Sequence, residues 1–347
     1  MIETYTLTDG GQTAADVAQR VAAFVGQATR TLEVALYDLR LLPPTAKIVV
    51  DAFQAAIARG VRVRMAYNVD HRRPIAVPPP PETDPHLIAS TGADANPVYG
   101  IPDLMHHKYV VRDGTTVWTG STNWTEDSWT REENVIVELE SAELASWYTR
   151  NFEELWTTGS VGATGKFTPK PVTIGEASVR ALFCPGRGSR LAHRIAGAIG
   201  RADRRVRVAS PVITSGTILG TLAEVAASGR VDVAGVYDAT QMQEVFDQWR
   251  AEEHAVWKIP CFTGMVTRAP FGAKVTTPYR PGSVHDYMHA KVCVVDDVTF
   301  VGSYNLSHSG EENAENVLEI KDAGVADKMA AFIDEIRQRY PSSGPPR

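Results

Sequence analysis

Two polar runs recur in this chain of 347 residues with the same internal spacing. MHHKYVVRDGTTVWTGSTNWTEDSWTREENVIVEL starts at Met105, and MHAKVCVVDDVTFVGSYNLSHSGEENAENVLEI starts at Met288. Set one above the other, His106, Lys108 and Asp113 coincide with His289, Lys291 and Asp296, both reading His-x-Lys-x-x-x-x-Asp. Gly120, Ser121 and Asn123 likewise coincide with Gly302, Ser303 and Asn305. Ten residues after each of those asparagines stands a glutamate, Glu133 or Glu315, followed by Asn134 or Asn316.

A lone His-x-Lys is commonplace and usually marks a satisfied structural histidine, whereas two complete copies with matching downstream residues require a shared task. Brought together they supply two imidazoles, two ammonium groups and two amides, a site suited to phosphoryl transfer. One neutral imidazole attacks phosphorus while the other, protonated, gives its proton to the leaving oxygen. Lys108, Lys291, Asn123 and Asn305 then hold the nonbridging oxygens as charge builds. An attacking imidazole needs its second nitrogen hydrogen-bonded so that the free lone pair faces phosphorus, and Glu133 and Glu315 are the candidates for that role. Asp113, ahead of Gly114, is placed to brace a turn rather than to touch substrate, and Asp296 is its counterpart. Ser121 and Ser303 complete the supporting set. No metal site is expected, because the His and Glu are not at zinc-protease spacing and the lysines would repel a cation. His107, His285 and His308 lie near the motifs and are read as structural, with His107 also a candidate for a substrate groove. His71, His86, His193 and His254 receive no role.

Strand alternation would turn His106, Lys108 and Val110 to one face and have the next strand deliver Ser121 and Asn123 together. The surrounding elements repeat as well. Residues 12–29 carry apolar side chains at helical spacing, and 31–39 alternate like a half-buried strand; 189–200 and 205–213 repeat that order. The spacing further predicts a helix over 45–59 closed by Gly60, a strand over 61–69, and their counterparts over 217–228, closed by Gly229, and 231–239. Each half ends in an amphipathic helix, 142–156 and 325–340. Strands alternating with helices imply an α/β fold made of two pseudo-twofold-related lobes, each a mixed sheet flanked by helices. Residues 1–158 form the N-terminal lobe, 159–174 a Gly/Thr/Pro-rich linker, 175–341 the C-terminal lobe and 342–347 a tail. Two irregular stretches, 71–100 with Pro78 to Pro81 and about 263–287, precede the motifs in matching positions and are expected to wall the site.

Composition narrows the function. With 44% hydrophobic and 22% charged residues the chain is globular rather than disordered or fibrous. A formal charge of −6, from 35 Lys and Arg against 41 Asp and Glu, excludes a protein that coats nucleic acid, so anion binding must be local. Three cysteines without C-x-x-C spacing indicate neither a disulfide framework nor zinc. No run of eighteen apolar residues and no signal peptide are seen, so a cytoplasmic location without a transmembrane segment is expected. The sequence carries no signal for an oligomeric state.

The paired motifs, each followed by Gly-Ser-x-Asn and Glu-Asn, resemble the phospholipase D superfamily, and the resemblance covers essentially the whole chain. It implies a double α/β fold with one active site between lobes, a covalent phosphohistidine intermediate and no cofactor. It also implies His106 as nucleophile and His289 as general acid. The superfamily acts on phosphodiesters of nucleic acids and of phospholipids. The Gly-Ser-Thr-Asn-Trp-Thr run resembles its nuclease-like branch, and Arg268, Lys274 and Arg280 are candidates to line a groove for a phosphate backbone. Nucleic acid is therefore the favoured substrate. A phospholipase or phosphatidyltransferase is the alternative, with Trp129, Phe271, Tyr279 and Tyr287 available to grip acyl chains or stack bases. A non-catalytic phosphate-binding module is a second alternative, disfavoured because both imidazoles are kept.

Overall fold

A computed structural model describes residues 1–69, 83–100, 103–280, 282–342 and 344–346. Two large mixed sheets carry the fold. The first has seven strands, in spatial order Ile2–Leu7, Asn134–Glu140, Thr116–Gly120, Lys108–Arg112, Thr31–Leu36, Arg62–Val69 and Asp94–Tyr99. The second has eight, in the order Val172–Ile174, Ala177–Phe183, Asn316–Lys321, Val298–Gly302, Val292–Val295, Arg205–Ala209, Asp232–Asp238 and Phe271–Lys274. In each sheet the motif strand pairs antiparallel with a strand that runs parallel to its other neighbour: Thr31–Leu36 with Lys108–Arg112 and Arg62–Val69, and Arg205–Ala209 with Val292–Val295 and Asp232–Asp238. The parallel pairs are joined by the helices Pro43–Ala58 and Gly216–Ser228, as crossover connections require.

Local sequence fixes the helix ends. Thr13 and Asp16 form a reciprocal capping box at the start of Ala14–Gly26. Gly159 and Gly229 take left-handed conformations that close Ala142–Thr158 and Gly216–Ser228. Each sheet is covered on its outer face by its own helices, with Phe24, Val49 and Phe53 buried on one side and Leu191, Ile195 and Leu222 on the other. A third cluster lies between the sheets. It joins Tyr148, Phe152 and Leu155 of the helix Ala142–Thr158 to Met329, Ile333 and Ile336 of the helix Ala323–Arg339. The lobes therefore share one core, and the motif strands start at the seam between them.

Several sequence expectations change here. Of the stretch 71–100, residues 71–82, including Pro78 to Pro81, lie outside the described residues; the remainder forms the helix Pro85–Ser90 and the strand Asp94–Tyr99. The stretch 263–287 contains most of the helix Lys258–Arg268 and the strand Phe271–Lys274. The edge strand Val172–Ile174 falls inside the Gly/Thr/Pro-rich segment, where Val-Thr-Ile is too short to show periodicity. Trp129 and Phe271 are buried packing residues rather than surface groups. Among the described residues no helix is long and apolar enough to cross a membrane.

Candidate active site

Each motif histidine sits just before its strand rather than within it, since the strands begin at Lys108 and Val292. What holds the histidines is the opposite lobe. The His106 amide donates to the Ala314 carbonyl at 3.0 Å, and Met105 and Met288 make isolated bridges with Ala314 and Glu133. Ser121 and Ser303 follow the strands Thr116–Gly120 and Val298–Gly302 in the same way. The preceding glycines are obligatory: a Cβ on Gly120 would stand 2.0 Å from the Val135 carbonyl oxygen, and one on Gly302 2.1 Å from that of Asn316. These close approaches bring the Ser-x-Asn segments against the strands that carry the acidic residues.

His106, His289, Asn123 and Asn305 all line one cavity of about 280 Å³ at the seam, with Tyr37, Glu132, His285 and Tyr287 among its other walls. His106 Nδ1 lies 2.7 Å from Glu315 Oε1, across the lobe boundary. His289 Nδ1 lies 3.1 Å from Asn134 Oδ1 and 3.3 Å from Glu132 Oε2. The Asn134 amide is oriented by its own bonds: its Oδ1 accepts from Ser121 Oγ at 2.7 Å and its Nδ2 donates to Glu132 Oε2 at 3.1 Å. With Nδ1 of both imidazoles engaged by acceptors, Nε2 is the nitrogen left for chemistry. Lys108 and Lys291 curl back, each Nζ donating to the carbonyl of its own motif histidine at 2.7 and 2.8 Å. Asn123 and Asn305 both line the cavity, and the side-chain carbonyl oxygen of each is buried without a hydrogen-bond partner.

Electrostatics follow from burial. Both motif imidazoles are pushed well below the usual histidine value, first by burial and then by the two lysines, so both are neutral bases at neutral pH. Burial pushes Lys108 down to about 8 against the pull of Glu315 and Asp38, and it pushes Lys291 down as well. It raises the carboxyls too, Glu315 to about 8 and Glu132 to about 7. Near neutral pH the carboxyls, rather than the imidazoles, are therefore the groups that hold protons in this site.

Asp113 and Asp296 stand outside the cavity. Each has positive φ, 55° and 51°, and its carboxylate accepts the backbone N–H groups of Thr29 to Thr31 or Asp203 to Arg205. Partial burial would raise their pKa, but these hydrogen bonds outweigh it and hold both below the usual range. They tie the motif strand's turn to the start of the neighbouring strand.

Glu133 is turned away from the imidazoles. It pairs with Lys274 Nζ at 2.9 Å and accepts from the Tyr340 hydroxyl at 2.5 Å. The reason is register. Gly120 faces Ile136 while Gly302 faces Val317, so Asn134, not Glu133, is the spatial counterpart of Glu315. One extra residue precedes the first strand, and a one-residue slip reverses which face each side chain takes. Lys274 is consumed by this buried pair and lines no groove. Arg268 bonds the Gly264 carbonyl on its own helix, away from the cavity. His107 is wholly buried against Asn316 and pushed down to about 3 by burial and by Lys108. Arg280 is exposed beside the wall residue Tyr279. Sequence reasoning missed Tyr37, packed edge-on to His106 at 4.7 Å, and Asp238, whose carboxylate accepts the Met288 amide at 3.2 Å ahead of His289. Glu132 was legible only as the neighbour of Glu133, and His285 proves to be a cavity wall stacked on Tyr287. Among the described residues no group of three or more His, Cys, Asp or Glu is placed to hold a metal ion.

The family described as cardiolipin synthase, PLD-like domain, matches the chain twice, over residues 21–156 and 195–337. A mitochondrial cardiolipin hydrolase of Xenopus tropicalis is 29% identical over 147 residues, which are 40% of this chain and 60% of that protein. One from Chlamydomonas reinhardtii is 26% identical over 137 residues, 40% of this chain and 56% of its own length. The chain therefore matches less than two thirds of the length of these relatives. The solved structure of phosphatidylserine synthase from Haemophilus influenzae Rd KW20 superposes with a TM-score of 0.63 at 14% identity, over 97% of this chain and 86% of that one, a likeness of fold. With two copies of the domain that meet at the cavity holding both motif histidines, the chain belongs to the phospholipase D superfamily.

Proposed function

We propose that the protein is a metal-independent phosphodiesterase or phosphatidyltransferase in which His106 forms a covalent phosphohistidine and His289 serves the leaving group. The observation that carries this reading is the unequal pairing of the two imidazoles. In its ionised form Glu315, at 2.7 Å, accepts the His106 Nδ1–H, leaving the Nε2 lone pair to attack phosphorus, and its carboxylate supports the charge that the ring acquires once phosphorylated. His289 is held more loosely, its Nδ1–H donating to Asn134 Oδ1 at 3.1 Å with Glu132 Oε2 at 3.3 Å beside it. With that Nδ1–H held, His289 takes a second proton at Nε2 and gives it to the leaving oxygen, and the neutral Nε2 that returns accepts a proton from water or an alcohol in the second displacement. Lys108, Lys291, Asn123 and Asn305 steady the nonbridging oxygens in both steps.

The substrate we propose is a phospholipid headgroup phosphodiester. Two of the three cations that would line a nucleic-acid groove are engaged elsewhere, Lys274 with Glu133 and Arg268 with its own helix. Exposed aliphatic side chains stand instead in sequence next to wall residues of the cavity or in a cleft that shares His285 with it. Val275, 80% exposed, lies two residues from the wall residue Thr277; Val284, 39% exposed, precedes His285; and Leu42, 59% exposed, shares with His285 an adjoining cleft of about 500 Å³. Exposed aliphatics around a polar site suit an enzyme working at a lipid surface. The names of the relatives, cardiolipin hydrolase and phosphatidylserine synthase, agree with this class. A nucleic acid is the second reading, favoured by the Tyr287–His285 stack on which a base could lie. A side-by-side assay in EDTA with phosphatidylglycerol and cardiolipin vesicles, single-stranded and duplex DNA, and RNA tests the choice, with His106→Ala as blank. Headgroup release that vanishes in the variant is expected; cleavage of nucleic acid alone would overturn the lipid assignment.

A further inference from the structure

A second, smaller cavity of about 150 Å³ lies on the C-terminal lobe, between the segment Phe167–Pro169, the strand Ala177–Phe183 and the start of the helix Gly188–Gly200. Its polar wall is made of arginine: Arg180 from the strand, and Arg187, Arg190 and Arg194 from successive turns of the helix start. Arg194 is committed to Glu319, its Nη2 donating at 2.8 Å. The other three have no carboxylate within ion-pair distance among the described residues, and the Nε atoms of Arg180 and Arg187 are buried with no hydrogen-bond partner. Residues 166–194 hold six Lys and Arg against one acid, Glu176, in a chain whose net charge is −6. Gathering like charges around a pocket costs stability unless an anion offsets it, and planar guanidinium groups match the oxygens of a phosphate. The floor is apolar, with Phe167, Leu182 and Leu191.

We infer that this cavity is a second anion site, separate from the catalytic seam, that takes a phosphate group carried on a short apolar moiety. Such chemistry belongs to the glycerophosphate portion of an anionic phospholipid and, without the apolar part, to free phosphate. The inference does not rest on the proposed activity.

Calorimetric titration of the full chain with inorganic phosphate and, separately, with monomeric dihexanoylphosphatidylglycerol tests it against Arg187→Ala/Arg190→Ala and Arg180→Gln. Side-chain Nε–H spectra of isotopically labelled arginine follow the same titrations. The expected result is one site fewer, or affinity reduced about tenfold or more, in both variants, with the Arg180 and Arg187 Nε–H signals shifting in the unmodified chain. Tighter binding of the lipid than of phosphate assigns the lipid, and equal binding assigns free phosphate. Unchanged stoichiometry and affinity in the variants, or Nε–H signals that do not move with either ligand, would overturn the site. An Arg187→Lys/Arg190→Lys chain that retains weakened binding separates loss of the site from loss of fold.

Discussion

At the scale of single residues, the division of labour lies in which carboxyl each imidazole meets. Glu132 and Glu133 are neighbours in sequence with opposite duties. Glu132→Gln removes the carboxyl that lies 3.3 Å from His289 Nδ1 and would support the charged imidazole, and is expected to slow turnover by about a hundredfold with little change in melting temperature. Glu133→Gln strands the buried Lys274 and is expected to cost about 3 kcal/mol of stability, with kinetics largely kept in the molecules that fold. Parallel measurements of rate and thermal unfolding check the contrast, and equal rate losses in both would contradict it. The same groups set a pH profile. As pH rises, the protonated fraction of His289, whose pKa burial holds well below the usual value, shrinks and Lys108, pushed down to about 8, loses its charge, losses that outweigh the ionisation of Glu315 once that is complete above about 8. Turnover is therefore expected to fall on the alkaline side of neutrality, and a rate that stays flat into the range of an ordinary lysine would contradict the assigned roles.

At the scale of elements, Asp113 and Asp296 show how an acidic residue conserves geometry without touching substrate. Each gathers three consecutive backbone N–H groups at a strand start and holds the motif strand beside it. Asp113→Ala is expected to lower stability by about 2 kcal/mol, because the hydrogen bonds to a charged acceptor are lost while a positive φ remains, and to leave KM nearly unchanged. Urea unfolding together with steady-state kinetics would show it, and a rate loss with no stability loss would refute it. The sequence made this bracing role readable because Asp stands directly before the turn. It also made readable the helices with clear caps and the strands with clear alternation, such as Ala14–Gly26 and Thr31–Leu36. Register between strands was not readable: an equal ten-residue spacing paired Glu133 with Glu315, and only the ladder reveals the extra residue that puts Asn134 in that place. The groove assigned to Lys274 failed for a related reason, since its partner Glu133 is 141 positions away in the chain.

At the scale of the whole molecule, two lobes form one catalytic unit because neither holds a complete site. His106 takes its carboxyl from the second lobe and His289 its acceptors from the first, while the shared core buries the helices Ala142–Thr158 and Ala323–Arg339 together. Splitting the lobes would expose that core, so calorimetry is expected to show a single cooperative transition; two separated transitions would mean that the lobes fold independently. The central claim is that His106 carries the phosphoryl intermediate. Its most direct test is mass spectrometry of His289→Ala protein denatured rapidly after mixing with substrate. A phosphate-linked adduct mapped to His106, absent from His106→Ala, is expected to accumulate because departure of the first product and attack on the intermediate are unequally slowed. An adduct on His289 in the unmodified enzyme, or turnover in the His106→Ala chain, would contradict the assignment.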